Sequence, residues 1–356
     1  MMRPRLSFLG CALVTLACSS DPSDGGNANA TGGAAGTGGS AGTGGSAGSA
    51  GGTGGGGSGG TAGTGGTAGS GGSTAGCAFE QAAPSGKLCA LKPSGAAGVT
   101  DTFGYHAVGL PSSIAATTPV YVHLVGSGGD PAKPATKSFP NQLLMEELTK
   151  AGVLVLMPAY DNEPTVGSLC KLDLACYEPV RREVIWATPA PAPYADLKNV
   201  TQPNDIVSRL SALVSALTQA KLLGATPPAA LAGPKLDTTK LRVGGHSQGG
   251  GHAALFAKDN QVERVCMLSS PIDGTDLGGI GKAVPWVSGT WATDLTARRA
   301  LIHEKDPGFI KAKANFDAMG LVEGTHWKRL TAATAEPHAT TVKDATHAAE
   351  RAACIQ

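Results

Sequence analysis

From Cys77 onward the chain alternates short apolar runs with amphipathic segments. Val120–Val125, Gly152–Pro158, Leu241–Val243, Val265–Leu268 and Ala300–Ile302 are runs of strand length, rich in branched side chains, and predict buried strands. Between them, Asn141–Ala151, Asp205–Leu223, Gly249–Lys258 and Phe309–Met319 carry helical patterns. In the second of these Ile206, Leu210, Leu213 and Leu217 share one face, with Asp205 placed to cap it. Strand and helix in regular alternation predict an α/β class: a mostly parallel sheet covered by helices. An earlier run, Thr100–Leu110, stops before Pro111 and predicts antiparallel edge strands.

The first 76 residues follow other rules. Arg3 and Arg5 precede a mostly apolar run, Leu6–Ala17, too short to span a bilayer. The run ends Val14-Thr15-Leu16-Ala17-Cys18, which resembles a bacterial lipobox with Thr15 at the position where leucine is commonest. The expectation is a signal peptide over 1–17, a lipid on Cys18 and export to the cell envelope, by a weak guess the outer membrane, or secretion. Gly25–Gly76 holds half of the chain's 52 glycines and no charge. Such a composition buries too little surface to offset chain entropy, so 18–76 reads as a linker and 77–356 as one domain.

Composition then narrows the chemistry. A net charge of +1 with 15% charged residues leaves no basic stripe for nucleic acid. Six cysteines remain in the domain. In an exported chain an even count suggests disulfides, with Cys77 and Cys89, and Cys170 and Cys176, as local candidates. Cys266 is either a free buried thiol or the partner of Cys354. No C-x-x-C pair occurs, and His246 and His252 lack the H-E-x-x-H spacing, so no metal site is expected.

The pattern G-x-S-x-G occurs four times, around Ser40, Ser46, Ser58 and Ser247. The first three lie in the glycine-rich segment, where composition alone produces it. Ser247, in Gly245-His-Ser-Gln-Gly249, has a strand before it and helical character after it. That context suits a nucleophile on a tight turn, where small residues two positions either side avoid collision. Serine also needs a base, an acid that orients the base, and an oxyanion hole.

The stretch VYVHLVGSGG, followed far downstream by VGGHSQGGGHAA, resembles the α/β-hydrolase superfamily, from bacterial serine esterases to polyester depolymerases. The resemblance implies a single α/β-hydrolase domain with a small insertion or cap, formed by the Cys170–Cys176 segment and the proline-rich Ala187–Tyr194. It implies oxyanion donors at the Gln248 amide and at Ser127, with Gly128 the alternative. Val125-Gly126 stands where the family usually has His-Gly, with His123 two places earlier. The acid is expected in the Glu304–Pro307 loop, at Asp306, with Asp273 the rival. The base is expected after the last strand. If His326–Ala332 is that strand, His338 lies in the following loop; if Ala339–Val342 is, His347 gains. Trp286 and Trp291 are either pocket wall or core.

The expected function is cleavage of a carboxylic ester, small molecule or polymer, through an acyl-enzyme on Ser247, chemistry that needs no metal or organic cofactor. A peptidase or amidase of the same fold, and a non-catalytic surface-binding module, are the alternatives. The expected protein is a monomer that meets membrane only through its N-terminal lipid.

Overall fold

The computed structural model describes residues 76–356. The signal, Cys18, the linker and the serines at 40, 46 and 58 lie outside the described residues. In chain order the elements are β1 (Phe79–Ala83), β2 (Gly86–Leu91), β3 (His106–Pro111), β4 (Val120–Leu124), α1 (Gln142–Lys150), β5 (Leu154–Met157), α2 (Val166–Cys170), α3 (Tyr177–Trp186), α4 (Ile206–Gln219), β6 (Leu241–His246), α5 (Gln248–Asp259), β7 (Arg264–Leu268), β8 (Thr275–Asp276), β9 (Gly281–Lys282), β10 (Arg298–His303), α6 (Phe309–Ala318), β11 (Trp327–Leu330), α7 (Thr340–Lys343) and α8 (Ala348–Ile355). A nine-stranded sheet runs β1-β2-β3-β5-β4-β6-β7-β10-β11. It is parallel from β5 to β11, while β1, β2 and β3 pair antiparallel.

The apolar runs are continuous because both sheet faces are covered. In β4, Val120, Val122 and Leu124 join a core beneath α3, α4, α5 and α6, while Tyr121 points to a second core beneath α1, α7 and α8. The predicted cap of α4 is present: Asp205 Oδ1 accepts the Ser208 amide at 2.9 Å. The insertion after β5 contains α2 and α3, and α3 packs Val180, Val184 and Ile185 into the first core. Trp286 and Trp291 are buried in that core too.

Two expectations are corrected. The run before Pro111 is antiparallel but interior, lying between β2 and β5. The β1–β2 hairpin, tied by the Cys77–Cys89 disulfide, occupies the edge instead. Residues 340–343 form a helix, so β11 is the last strand. Disulfides also join Cys170 to Cys176, and Cys266 to Cys354, the latter tying α8 to β7.

The chain crosses the sheet in two directions from β4. It passes through α1 to β5 on one side, then returns through α3 and α4 to β6 on the other. The carboxyl ends of β4 and β6 therefore flank a topological switch point, where open α/β sheets place their ligand crevice.

Several histidines are part of the core. Burial, reinforced by the Arg209 charge, pushes the His106 imidazole down to about 3. Burial and His246 do the same to His123, and burial with Arg181 and Lys198 holds His252 well below its ordinary range. These rings stay neutral in the native state while the unfolded chain takes up protons below about pH 6.5. Stability therefore falls as pH drops from about 6.5 toward 4, each ring contributing up to about 1.4 kcal/mol per pH unit. Glu183, whose carboxyl is raised by burial, acts in the opposite sense but is a single group. The expected result is a lower urea midpoint at pH 5 than at pH 7. An unchanged midpoint would contradict this account of the core.

Candidate active site

Strand β6 ends in the turn at Ser247, whose φ of 54° and ψ of −124° are rare for a residue with a side chain. Such geometry costs on the order of 1–3 kcal/mol and persists only where neighbours impose it. The neighbours are backbones. A Cβ on Gly245 would sit 2.5 Å from the Leu124 carbonyl oxygen, and one on Gly249 would overlap the carbonyls of Leu124 and Val125. A Cβ on Gly250 would meet the Ser270 side chain at 2.5 Å, and one on Gly251 the Arg181 guanidinium. This explains the three glycines that follow Gln248 in the first turn of α5: at their positions there is no room for a side chain. The Ser247 amide is bonded to the Leu268 carbonyl at 2.9 Å, which ties the turn to β7.

The loop after β4 lies directly beside Ser247. A Cβ on Gly126 would stand 3.2 Å from that of Ser247. The Gly129 amide closes the loop on the Gly126 carbonyl at 3.1 Å. Among the described residues, the amides of Ser127, Gly128 and Gln248 donate to no protein acceptor. Sequence reasoning missed the residue that holds this loop. Asn162 Nδ2 donates to the carbonyls of Gly126 (3.1 Å) and Gly129 (2.7 Å), while its own carbonyl accepts Gln248 Nε2 at 3.0 Å. Gln248 Oε1 in turn accepts the Val166 amide at 2.6 Å. The two sides of the crevice are thus laced together through one asparagine.

Asp306 lies in the loop after β10, its side chain fully buried. It faces His338, on the loop after β11. His338 Nδ1 lies 2.9 and 3.1 Å from the two carboxylate oxygens, and Asp306 Oδ1 also accepts the Gly308 amide at 2.7 Å. Burial alone would raise the Asp306 carboxyl. The His338 hydrogen bond and charge, the Gly308 amide and the Ser269 hydroxyl outweigh it and hold the group below its ordinary value. The carboxylate is therefore ionised at neutral pH, with the imidazole as its main partner.

The two rivals have other company. Asp273 is buried and makes a paired contact with Arg181, and it accepts Trp286 Nε1 at 3.1 Å. Arg181 Nη1 also donates to the Gln248 carbonyl at 2.9 Å, so this ion pair braces the start of α5. Breaking such a buried pair costs about 3–5 kcal/mol. His347 precedes α8, 3.8 Å from Glu350, and its ring nitrogens find no hydrogen-bond partner among the described residues. His303 and His326 each accept a local backbone amide. No cluster of three or more potential metal ligands occurs among the described residues.

No protein-family model matches this chain, and no curated protein matches it. Solved structures give distant likenesses. The thermostable carboxylesterase EstE1, cloned from a metagenomic library, has 15% identity and a TM-score of 0.40, covering 78% of this chain and 92% of its own. Esterase B from Lactobacillus rhamnosis has 13% identity and a TM-score of 0.43, with 77% and 84% covered. An S-formylglutathione hydrolase from Agrobacterium tumefaciens has 14% identity and a TM-score of 0.40, with 77% and 98% covered. The class is defined within this chain, by its strand order and by the strand–Ser247–helix turn at the switch point: an α/β-hydrolase fold.

Replacing Asn162 with alanine removes both bonds to the loop after β4. With about 1 kcal/mol for each, the Gly129 amide should exchange its hydrogen about tenfold faster or more. Hydrogen-exchange mass spectrometry of the peptide containing Gly126–Gly129 checks this. Unchanged exchange would show that the loop holds itself.

Proposed function

We propose that this protein is a serine hydrolase that cleaves a carboxylic ester through an acyl-enzyme on Ser247. The observation that carries the reading is the His338–Asp306 pair: both carboxylate oxygens engage Nδ1, which leaves Nε2 as the nitrogen available to the serine. In the proposed mechanism His338 Nε2 takes the Ser247 hydroxyl proton as Oγ attacks the carbonyl carbon. Asp306 keeps the proton on Nδ1 and stabilises the imidazolium. The free amides of Gln248 and Ser127, with Gly128 the alternative to Ser127, receive the oxyanion. Their value lies in being oriented before charge develops, and one such donor is worth about 10²–10³ in rate. The alkoxide leaves with the proton from His338. Water, deprotonated by the same ring, then attacks the acyl carbon and frees the acid and Ser247.

The ester reading follows the likeness of VYVHLVGSGG and VGGHSQGGGHAA to serine esterases. Export is proposed with it, and three disulfides among the described residues are consistent with an oxidising compartment. The lipid on Cys18 and attachment to the envelope remain part of the same proposal.

The test is turnover of p-nitrophenyl esters by the full chain and four variants. S247A and H338A should each lose about 10³-fold or more in kcat, and D306N about as much, because the amide favours the wrong ring tautomer. H347A should stay within about threefold of the wild type in kcat, since the buried His347 ring bonds to none of the proposed reacting groups and its removal bears on stability rather than on chemistry. Activity that survives S247A, or that H347A abolishes while H338A retains it, would overturn the assignment. A wild-type protein inert to every ester chain length would favour the binding-module alternative.

A further inference from the structure

His338 stands in the irregular stretch between β11 and α7, where no strand or helix fixes its backbone. Its side chain is held by Asp306. Its carbonyl is held by two further side chains, one of which, Ser269, also lies close enough to Asp306 to favour its ionised form. His246 Nε2 lies 2.8 Å from that oxygen and Ser269 Oγ lies 2.9 Å from it. A carbonyl only accepts, so His246 carries its proton on Nε2. The His246 and His338 rings are in contact, tilted at 54° with centroids 4.8 Å apart. On its other side, His246 Nδ1 closely approaches Gly126 of the loop after β4. Ser269 holds the left-handed backbone conformation, with φ of 49°, and its hydroxyl also contacts Thr341 Oγ1 at 3.1 Å.

We propose that His246 and Ser269 are positioning residues: together they fix the His338 carbonyl and so seat its imidazole between Asp306 and Ser247. The proposal rests on the catalytic reading above. His246 immediately precedes Ser247, so one residue couples the nucleophile's strand directly to the base's loop. Held at both its ring and its carbonyl, His338 has little freedom to swing. Losing the carbonyl hold displaces the ring by a fraction of an ångström to an ångström, and misplacement on that scale costs up to about 10²-fold in rate. His246 suits the task because it remains a neutral donor. Burial and the neighbouring His338 push it down to about 4, against the opposing pull of the His338 carbonyl and Asp306; Lys343 and the buried His123 also face it.

The experiment compares H246F, which keeps a ring without a donor, H246Q, which keeps a donor, and S269A. Each is measured for kcat and KM on a p-nitrophenyl ester. Each is also examined for the deshielded proton NMR signal of the His338 Nδ1–H shared with Asp306. H246F and S269A should lower kcat about tenfold to hundredfold with KM within about twofold, and should weaken or abolish the signal. H246Q should recover most of both. S269A, which removes one oxygen, preserves the test if H246F does not fold. Wild-type kcat and an unchanged signal in H246F and S269A would overturn the proposal while leaving the catalytic reading intact. If the wild type hydrolyses no ester, the catalytic reading fails. The NMR comparison then decides the positioning role alone, a signal unchanged in the variants refuting it.

Discussion

The contact on which the rest of the site depends is backbone against backbone, between the ends of β4 and β6. The Leu124 and Val125 carbonyls press against the turn at Ser247 so closely that Gly245 and Gly249 have no space for a Cβ. This crowding holds Ser247 at a positive φ. It also sets the loop beginning at Gly126 beside the serine. Ser247 and the free amides beside it, the proposed nucleophile and oxyanion donors, are therefore not brought together by flexible side chains. They are fixed by the register in which Leu124 pairs with Gly245.

Around that contact the polar groups form two braces. Arg181 links Asp273 to the first carbonyl of α5, and Asn162 links the β4 loop to Gln248. The Arg181–Asp273 pair is buried, so water and salt compete for it far less than for a surface pair, while the Asn162 bonds are part-buried. The third member of the site is less rigidly built. His338 comes from an irregular loop, and it depends on side chains from three other strand ends: His246 at β6, Ser269 after β7 and Asp306 after β10.

What could be read from sequence divides along the same line. The buried strands and the α1, α4, α5 and α6 helices were legible because each is a local pattern of apolar residues. The tight turn at Ser247 was legible because strand and helix adjoin it in the chain. The pairing of Asp306 with His338 was legible only through their order and loop positions, and the preference for His338 over His347 as the proposed base turned on whether Ala339–Val342 is a strand. Three threonine and valine residues there read as strand, but the segment caps the second core as helix. Pro111 pointed to an edge, yet β3 is interior, with the β1–β2 hairpin taking the outer place. The supports were illegible. Asn162 and Gln248 are 86 positions apart, Arg181 and Asp273 are 92 apart, and no periodicity connects them. His246 was visible as the variable residue of the serine motif and as a histidine without metal-ligand spacing, neither of which points to the His338 carbonyl.

The central claim is that one of four identical serine patterns is a nucleophile because of what surrounds it. The most direct measurement is labelling of the intact protein with a fluorophosphonate, followed by peptide mass spectrometry. The account predicts a single adduct, on Ser247, which disappears on denaturation before labelling and in the H338A variant. Labelling of Ser40, Ser46 or Ser58, or a native protein that takes up no label at Ser247, would contradict it.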